Sequence, residues 1–148
     1  MENGALNISP LFGAAIQTHS LTRINARSIS FMNRMVIPID RIPNLPDEEW
    51  RAIEGYKGKY LVSNMGRVKS LKHANARLLT AFANNKGYLR VCLCQNGKGR
   101  HFLVSRLVAA AFCKNNDPEN KTTIDHIDSD KKNNRADNLA WCSLKENV

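Results

Sequence analysis

The stretch from residue 122 to residue 148, TTIDHIDSDKKNNRADNLAWCSLKENV, is the part of the sequence that decides the fold. Residues 122–127 and 139–142 are rich in β-prone residues such as Thr, Ile and Trp, which predicts two short strands. The polar residues 128–137 between them predict a long turn. The run Ser-Leu-Lys-Glu that begins at Ser143 has the spacing of a capping box. We therefore expect a strand, a turn, a second strand and the start of a helix.

Two adjacent residues of the first predicted strand and an asparagine near the chain end have side chains that could bind a metal ion or transfer a proton. Successive strand side chains point to opposite faces, so Asp125 and His126 should face opposite sides. Asn147 lies in the first turn of the predicted helix. If that helix packs on the hairpin, Asp125 and Asn147 could both offer an oxygen to one hard cation such as Mg²⁺. His126 would then lie across from the metal and could take a proton from water.

Each of these residues also has an ordinary structural interpretation. A single histidine in a basic protein is more often structural or on the surface than catalytic. The acidic turn 128–130 is typical of a simple turn, and Asn133 and Asn134 are expected to anchor the loop. Only the combined spacing favours a chemical role.

A hairpin is predicted upstream of this segment. Residues 88–95 alternate apolar and polar side chains, residues 96–99 (Asn-Gly-Lys-Gly) signal a turn, and residues 101–104 read as the returning strand. Three basic residues should lie near one end of this hairpin, namely Arg90, Lys98 and Arg100.

A short helix is predicted over residues 105–112. Ser105 is a suitable cap for its start. Leu107, Ala110 and Ala111 have the spacing of one apolar helix face.

The spacing of the chemical residues resembles the HNH nuclease motif, in the branch found in phage and intron-encoded homing endonucleases. Asn138 follows His126 by twelve residues, and Asn147 follows Asn138 by nine. The lead-in RLVAAAF at 106–112 and the tail NLAWCSLKEN at 138–147 are similar to the same branch.

A second resemblance lies upstream of the first. The segments WRAIEGY at 50–56 and YLVSNMGRVKSL at 60–71 resemble the NUMOD-type DNA-binding module that commonly precedes HNH. Together the two resemblances imply an α+β chain, with a small β-rich module followed by a ββα-metal (HNH) finger. We expect a poorly ordered arm over 1–46, the NUMOD-type module over 47–100 and the HNH motif over 101–148.

The family also implies a role for each motif residue. His126 would be the general base that activates water. Asp125 and Asn147 would hold one divalent ion, Mg²⁺ or Mn²⁺, and Asn138 would brace the loop between the strands. The implied reaction is in-line attack of water on a DNA phosphodiester, which leaves a 5′-phosphate and a 3′-hydroxyl.

The charge distribution fits a nucleic-acid partner. The chain has 22 Lys and Arg against 13 Asp and Glu, a net charge of +9. Residues 51–114 hold 13 basic residues and one acid, whereas residues 115–148 hold 5 basic and 7 acidic residues. We expect double-stranded DNA to contact the basic part, although a solvated surface is the alternative for any single side chain. The candidate DNA contacts are Arg67, Lys69, Lys72, Arg77, Arg90, Lys98, Arg100 and Arg106.

Two other function classes compete with a nuclease. A truncated DNA-binding protein without cleavage is one, because Ser105 stands where the family often has His, Ser129 stands where Gly is common, and the chain ends at Val148. A thiol-metal or structural protein is the other, but the four cysteines form no C-x-x-C pair. They are Cys92, Cys94, Cys113 and Cys142.

Location and assembly are predicted from composition. The longest apolar stretches, such as 107–113, are too short to span a bilayer. No secretory signal is visible at the start of the chain. We expect a monomer in the host-cell cytosol, with its cysteines reduced and mostly half-buried.

Overall fold

Residues 40–147 of a computed structural model are described here, and they form nine short strands and one α-helix. The strand-rich α+β fold predicted from the sequence is confirmed. Most of the arm predicted for residues 1–46 lies outside the described residues, as does Val148.

The first sheet has four antiparallel strands in sequence order. A tight turn over residues 64–67 joins the second strand to the third, and Gly66 adopts a φ of +81° there. The strands are β1 (Trp50–Ala52), β2 (Tyr60–Ser63), β3 (Val68–Ser70) and β4 (Arg77–Leu78).

The second sheet has three antiparallel strands, β5 (Phe82–Ala83), β6 (Leu89–Gln95) and β7 (Lys98–Leu103). Asn96 and Gly97 both have positive φ, 51° and 75°, and they form the two-residue turn between β6 and β7. Such a turn twists in the same sense as the flanking strands, so β7 begins at Lys98 rather than at residue 101 as predicted.

The register corrects the predicted position of Arg90. Arg90 pairs with Leu103, whereas Gln95 pairs with Lys98 beside the turn. Arg90 therefore lies at the end of the hairpin opposite to Lys98 and Arg100. Strand alternation also puts Arg90 on the other face of the hairpin, because Arg100 pairs with Leu93.

The helix α1 (Val104–Phe112) differs in two ways from the prediction. Strand β7 runs directly into it, so Leu103 is the N-cap and no side chain caps the first turn. Ser105 is a buried residue inside the helix. Ala110 is exposed, since α1 packs on both sheets and on the C-terminal hairpin through a face centred on Val104 and Val108.

The C-terminal hairpin contains β8 (Thr123–His126) and β9 (Leu139–Cys142), with a 3₁₀ turn at Ala136–Asn138. Both strands agree with the prediction. The capping box is also formed, because the Ser143 amide donates to Glu146 Oε2 (2.8 Å) and the Glu146 amide donates to Ser143 Oγ (3.3 Å). Residues 144–147 form turns rather than the predicted helix.

One hydrophobic core runs through both sheets, the helix and the hairpin. It includes Val62 of the first sheet, Leu93 of the second, Val108 of α1 and Leu139 of the hairpin. The boundary predicted between residues 100 and 101 falls within β7. The predicted modules therefore pack on a common interior, to which α1 contributes Val104, Leu107 and Val108.

Among residues 40–147, no helix is long and apolar enough to cross a membrane.

Candidate active site

The side chains of Asp125 and His126, the two candidate functional residues of β8, point to opposite faces of the strand. Asp125 is exposed, whereas His126, the next residue, is only 6% exposed. This alternation follows from the strand geometry, and the hairpin register pairs His126 with Leu139.

The imidazole of His126 is held by a buried amide. Its Nε2 lies 3.0 Å from Oδ1 of Asn134, and both residues are buried. The Asn134 side-chain NH₂ donates to the Lys132 carbonyl (3.3 Å), which leaves Oδ1 as the acceptor that faces the ring. In this arrangement His126 Nε2 is the donor to Asn134 Oδ1.

An aromatic ring lies beside the same imidazole. The centroids of the Tyr88 and His126 rings are 5.9 Å apart with a tilt of 38°. Tyr88 directly precedes β6, and the Lys131 ammonium lies 4.9 Å from its ring centroid. The ring of His126 is thus packed against the second sheet.

The loop after β8 is tied together by Asn138. Its Oδ1 accepts from the Asp128 amide (3.1 Å), and its Nδ2 donates to Asp128 Oδ1 (2.8 Å) and to the Asn133 carbonyl (2.9 Å). Hydrogen bonds from the side chains of Asn133 and Asn138 and from the Asp130 amide lower the pKa of the Asp128 carboxyl. Hydrogen bonds of the Asn138 side chain therefore join the start of the loop, at Asp128, to its later part, at Asn133.

The two predicted metal ligands are both exposed. Asp125 makes no salt bridge or side-chain hydrogen bond within residues 40–147, and Asn147 lies in the turn after β9. No cluster of three or more His, Cys, Asp and Glu side chains occurs in that range. A carboxylate and an amide oxygen suit Mg²⁺, which binds few protein ligands and keeps several waters. The donor set fits a hard divalent ion that is largely hydrated.

Two family matches cover this architecture. Residues 48–94 match the NUMOD4 motif, and residues 117–148 match the HNH endonuclease family. In chain order the match to the NUMOD4 motif precedes the match to the HNH endonuclease family, and we call these two matched segments the NUMOD4 motif and the HNH domain. The resemblance to HNH homing endonucleases stated from the sequence is confirmed.

Curated relatives of the chain carry the same domain. The DNA endonuclease I-HmuI of Bacillus phage SP01 is 43% identical over 100 residues, which cover 68% of this chain and 55% of that protein. The uncharacterized HNH endonuclease L247 of Acanthamoeba polyphaga mimivirus is 42% identical over 104 residues, 68% of this chain and 25% of that protein. The H-N-H endonuclease F-TflII of Escherichia phage T5 is 34% identical over 92 residues. The chain therefore spans about half the length of I-HmuI and a quarter of L247.

A solved structure shares the fold. The structure that shows DNA binding and cleavage by the HNH homing endonuclease I-HmuI matches with a TM-score of 0.61 and 42% sequence identity. The match covers 68% of this chain and 55% of that chain.

Two basic residues of the NUMOD4 motif, Arg67 and Lys69, form ion pairs with acidic residues of the same fold. The side chain of Lys69 is only 4% exposed, and its ammonium pairs with Asp40 and lies 4.0 Å from the Trp50 ring centroid. Arg67 pairs with the buried carboxylate of Glu48 and donates to the Pro43 carbonyl (2.9 Å). Because their charges are already compensated, we omit both residues from the candidate DNA contacts.

The other six candidate DNA contacts are exposed. Lys98 and Arg100 flank a cleft of about 290 Å³ beside Tyr56. Arg106 projects from α1 and donates to the Thr122 carbonyl (2.9 Å). These six side chains are Lys72, Arg77, Arg90, Lys98, Arg100 and Arg106.

Sequence reasoning missed two neighbours of His126. It assigned Asn134 only to loop anchoring, and it assigned Tyr88 only to a strand face. The pair Asn133-Asn134, which follows His126 by seven and eight residues, is a weak sequence signal for the contact between Asn134 and His126. No local pattern points to Tyr88, because its contact with the HNH domain depends on packing.

The cysteines are more exposed than predicted. Cys92 and Cys94 are exposed on β6, Cys113 is half-buried and Cys142 is buried, and none of the four forms a disulfide.

Proposed function

We propose that this chain is a metal-dependent DNA endonuclease that hydrolyses phosphodiester bonds. The observation that carries the proposal is the HNH match at 117–148, which contains Asp125, His126, Asn138 and Asn147 at the spacing that resembles the motif. The names of two relatives, the DNA endonuclease I-HmuI and the H-N-H endonuclease F-TflII, support the same activity.

In the proposed mechanism His126 is the general base. Its Nδ1 takes a proton from the attacking water, while Nε2 keeps its own proton in the bond to Asn134. Asn138 keeps the loop after β8 in place through its bonds to Asp128 and Asn133. Asp125 and Asn147 would hold one Mg²⁺ or Mn²⁺, whose bound charge would stabilise the negative charge on the phosphate and on the leaving oxygen.

The test is cleavage of supercoiled plasmid with and without Mg²⁺ or Mn²⁺. We expect metal-dependent cleavage by the unchanged chain. His126→Ala should cut at least about 100-fold more slowly, since a positioned general base contributes a factor of that order. His73→Ala is the matched control, because His73 is an exposed histidine outside the HNH domain.

DNA binding is measured beside cleavage in the same samples. His126→Ala should bind a labelled duplex as well as the unchanged chain does. If the unchanged chain binds DNA but cleaves it with neither metal, the chain is a DNA-binding protein without nuclease activity.

The partner in this proposal is double-stranded DNA, held by a monomer. The six exposed basic side chains named above support contacts to the phosphate backbone. We also propose that the protein acts in the host-cell cytosol, which is compatible with four cysteines that form no disulfide. Counting nicked and linear products over time decides whether one strand or both are cut.

A further inference from the structure

We propose that the NUMOD4 motif positions the general base of the HNH domain, and that Asn134 and Tyr88 are the positioning residues through which it acts. This role would be additional to DNA binding. The inference rests on the proposed function only for its effect on cleavage, because the contacts themselves can be measured in the protein alone.

The first step is the bond between Asn134 and His126. Nε2 and Oδ1 are 3.0 Å apart, and Asn134 is only 4% exposed. A buried acceptor of this kind fixes both the orientation of an imidazole and the nitrogen that carries its proton. The Asn134 bond therefore selects Nδ1 as the nitrogen that can accept a proton.

The second step is the contact between Asn134 and the turn that joins β2 to β3. A Cβ atom added to Gly66 would lie 3.0 Å from the Asn134 carbonyl oxygen and 3.1 Å from the Asn134 Cβ. Two residues further on, the Ala136 amide donates to the Asn64 carbonyl (2.8 Å). The loop of the HNH domain thus lies directly on this turn of the NUMOD4 motif.

The turn itself is firmly held. The Asn64 side chain accepts from the Glu49 amide and donates to the Asp47 carbonyl, both at 2.9 Å. The Gly66 amide donates to the Ser63 carbonyl at 3.1 Å. Because these bonds fix the turn, the turn can fix the position of Asn134.

The third step is the direct contact between the ring of Tyr88 and the imidazole ring of His126. Residue 88 lies within the NUMOD4 match, and its ring lies 5.9 Å from that of His126. The Tyr88 amide donates to Asn84 Oδ1 (3.0 Å), which anchors the residue at the end of the turn before β6. Two separate parts of the NUMOD4 motif therefore support the same histidine, one directly and one through Asn134.

The first experiment compares Gly66→Ala with Gly55→Ala in the full chain. Both glycines lie in the NUMOD4 motif and have a φ of +81°, so the two variants impose the same backbone strain. Only Gly66 touches the HNH domain, because a Cβ on Gly55 would meet nothing within 4 Å. We expect Gly66→Ala to lower kcat on the order of tenfold or more, with the affinity for a DNA duplex unchanged. Gly55→Ala should keep both values.

The second experiment measures the tautomer of His126 by ¹⁵N NMR of the metal-free protein at alkaline pH. The unchanged chain should show a proton on Nε2. Asn134→Leu should lose this preference, and Asn134→Asp should restore it because it keeps an acceptor oxygen. Gly66→Ala should shift the His126 signals, and Gly55→Ala should not.

Each result supports or overturns the proposal. A proton on Nδ1 in the unchanged chain would overturn it, and so would equal kcat values for the two glycine variants. If the unchanged chain does not cleave DNA, the proposed function fails, while the NMR comparison still decides whether the NUMOD4 motif positions His126. If Asn134→Leu does not fold, the spectrum of the unchanged chain and the glycine pair still give the answer.

Discussion

One residue of the loop after β8, Ser129, adopts a backbone conformation that a residue with a Cβ does not favour. Ser129 has a φ of +65°, and its amide donates to the His126 carbonyl (2.8 Å). The tight turn directly after His126 needs this left-handed residue. A left-handed conformation costs a residue with a Cβ about 1–2 kcal/mol, which glycine does not pay.

We predict that Ser129→Gly stabilises the protein by about 0.5–1 kcal/mol. The relief of left-handed strain exceeds the extra chain entropy that glycine loses on folding. Urea unfolding followed by circular dichroism measures the change. Ser129→Ala is the control, since it removes the hydroxyl but keeps the Cβ. A glycine variant less stable than the alanine variant would contradict the assignment of strain.

At the scale of elements, the buried carboxylate of Glu48 is one of the groups that attach the segment before β1 to the first sheet. Glu48 Oε2 accepts from the Leu45 amide (2.9 Å), and Glu48 Oε1 accepts from Arg67 Nε (2.8 Å). Burial raises the pKa of Glu48, but hydrogen bonds from Arg67, Leu45 and Ser63 outweigh it and lower the pKa to about 2. The charged form of Glu48 therefore stabilises the attachment.

This attachment predicts how stability depends on pH. The folded pKa of Glu48 is about 2, below the ordinary glutamate value of 4.5 that applies to the unfolded chain. The stabilisation is therefore complete above about pH 4.5 and is lost as the pH falls towards 2, by at most about 1.4 kcal/mol per pH unit for one proton. Urea unfolding at a series of pH values should show this fall. Glu48→Gln should flatten the dependence in this window, and an unchanged slope would refute the role of Glu48.

At the scale of the whole molecule, position in the fold divides the basic side chains into two classes. Lys69 and Arg67 are paired with acids, whereas Lys98 and Arg100 are exposed at the turn end of the β6–β7 hairpin. Equal formal charges therefore do not imply equal roles. An exposed cation can release counterions from DNA, and a buried ion pair cannot do so without breaking.

We predict that Arg100→Ala weakens duplex binding and reduces the slope of log affinity against log salt by about 0.9, the value for one lost phosphate contact. Lys69→Met should leave that slope unchanged but lower the melting temperature, because it leaves Asp40 without its partner. Fluorescence anisotropy at several salt concentrations measures the slope, and thermal unfolding measures the stability. A reduced slope for Lys69→Met alone would reverse the assignment.

The sequence by itself determined the elements whose signals are local. The strands β8 and β9, the alternation along β6 and the capping box at Ser143 depend on neighbours within a few residues, so their spacing predicted them. The resemblance to the HNH and NUMOD-type families was also visible in the sequence, and the family matches confirm it.

Only the tertiary structure decided which distant residues meet. Nothing near Lys69 in the chain shows that Asp40, 29 residues away, compensates its charge. The helix cap is Leu103 rather than the predicted Ser105, because β7 continues into α1 without a break. The neighbours of His126 come from the loop at Asn134 and from Tyr88 of the second sheet. Such contacts depend on how the sheets pack around α1, and packing leaves no periodic trace in the sequence.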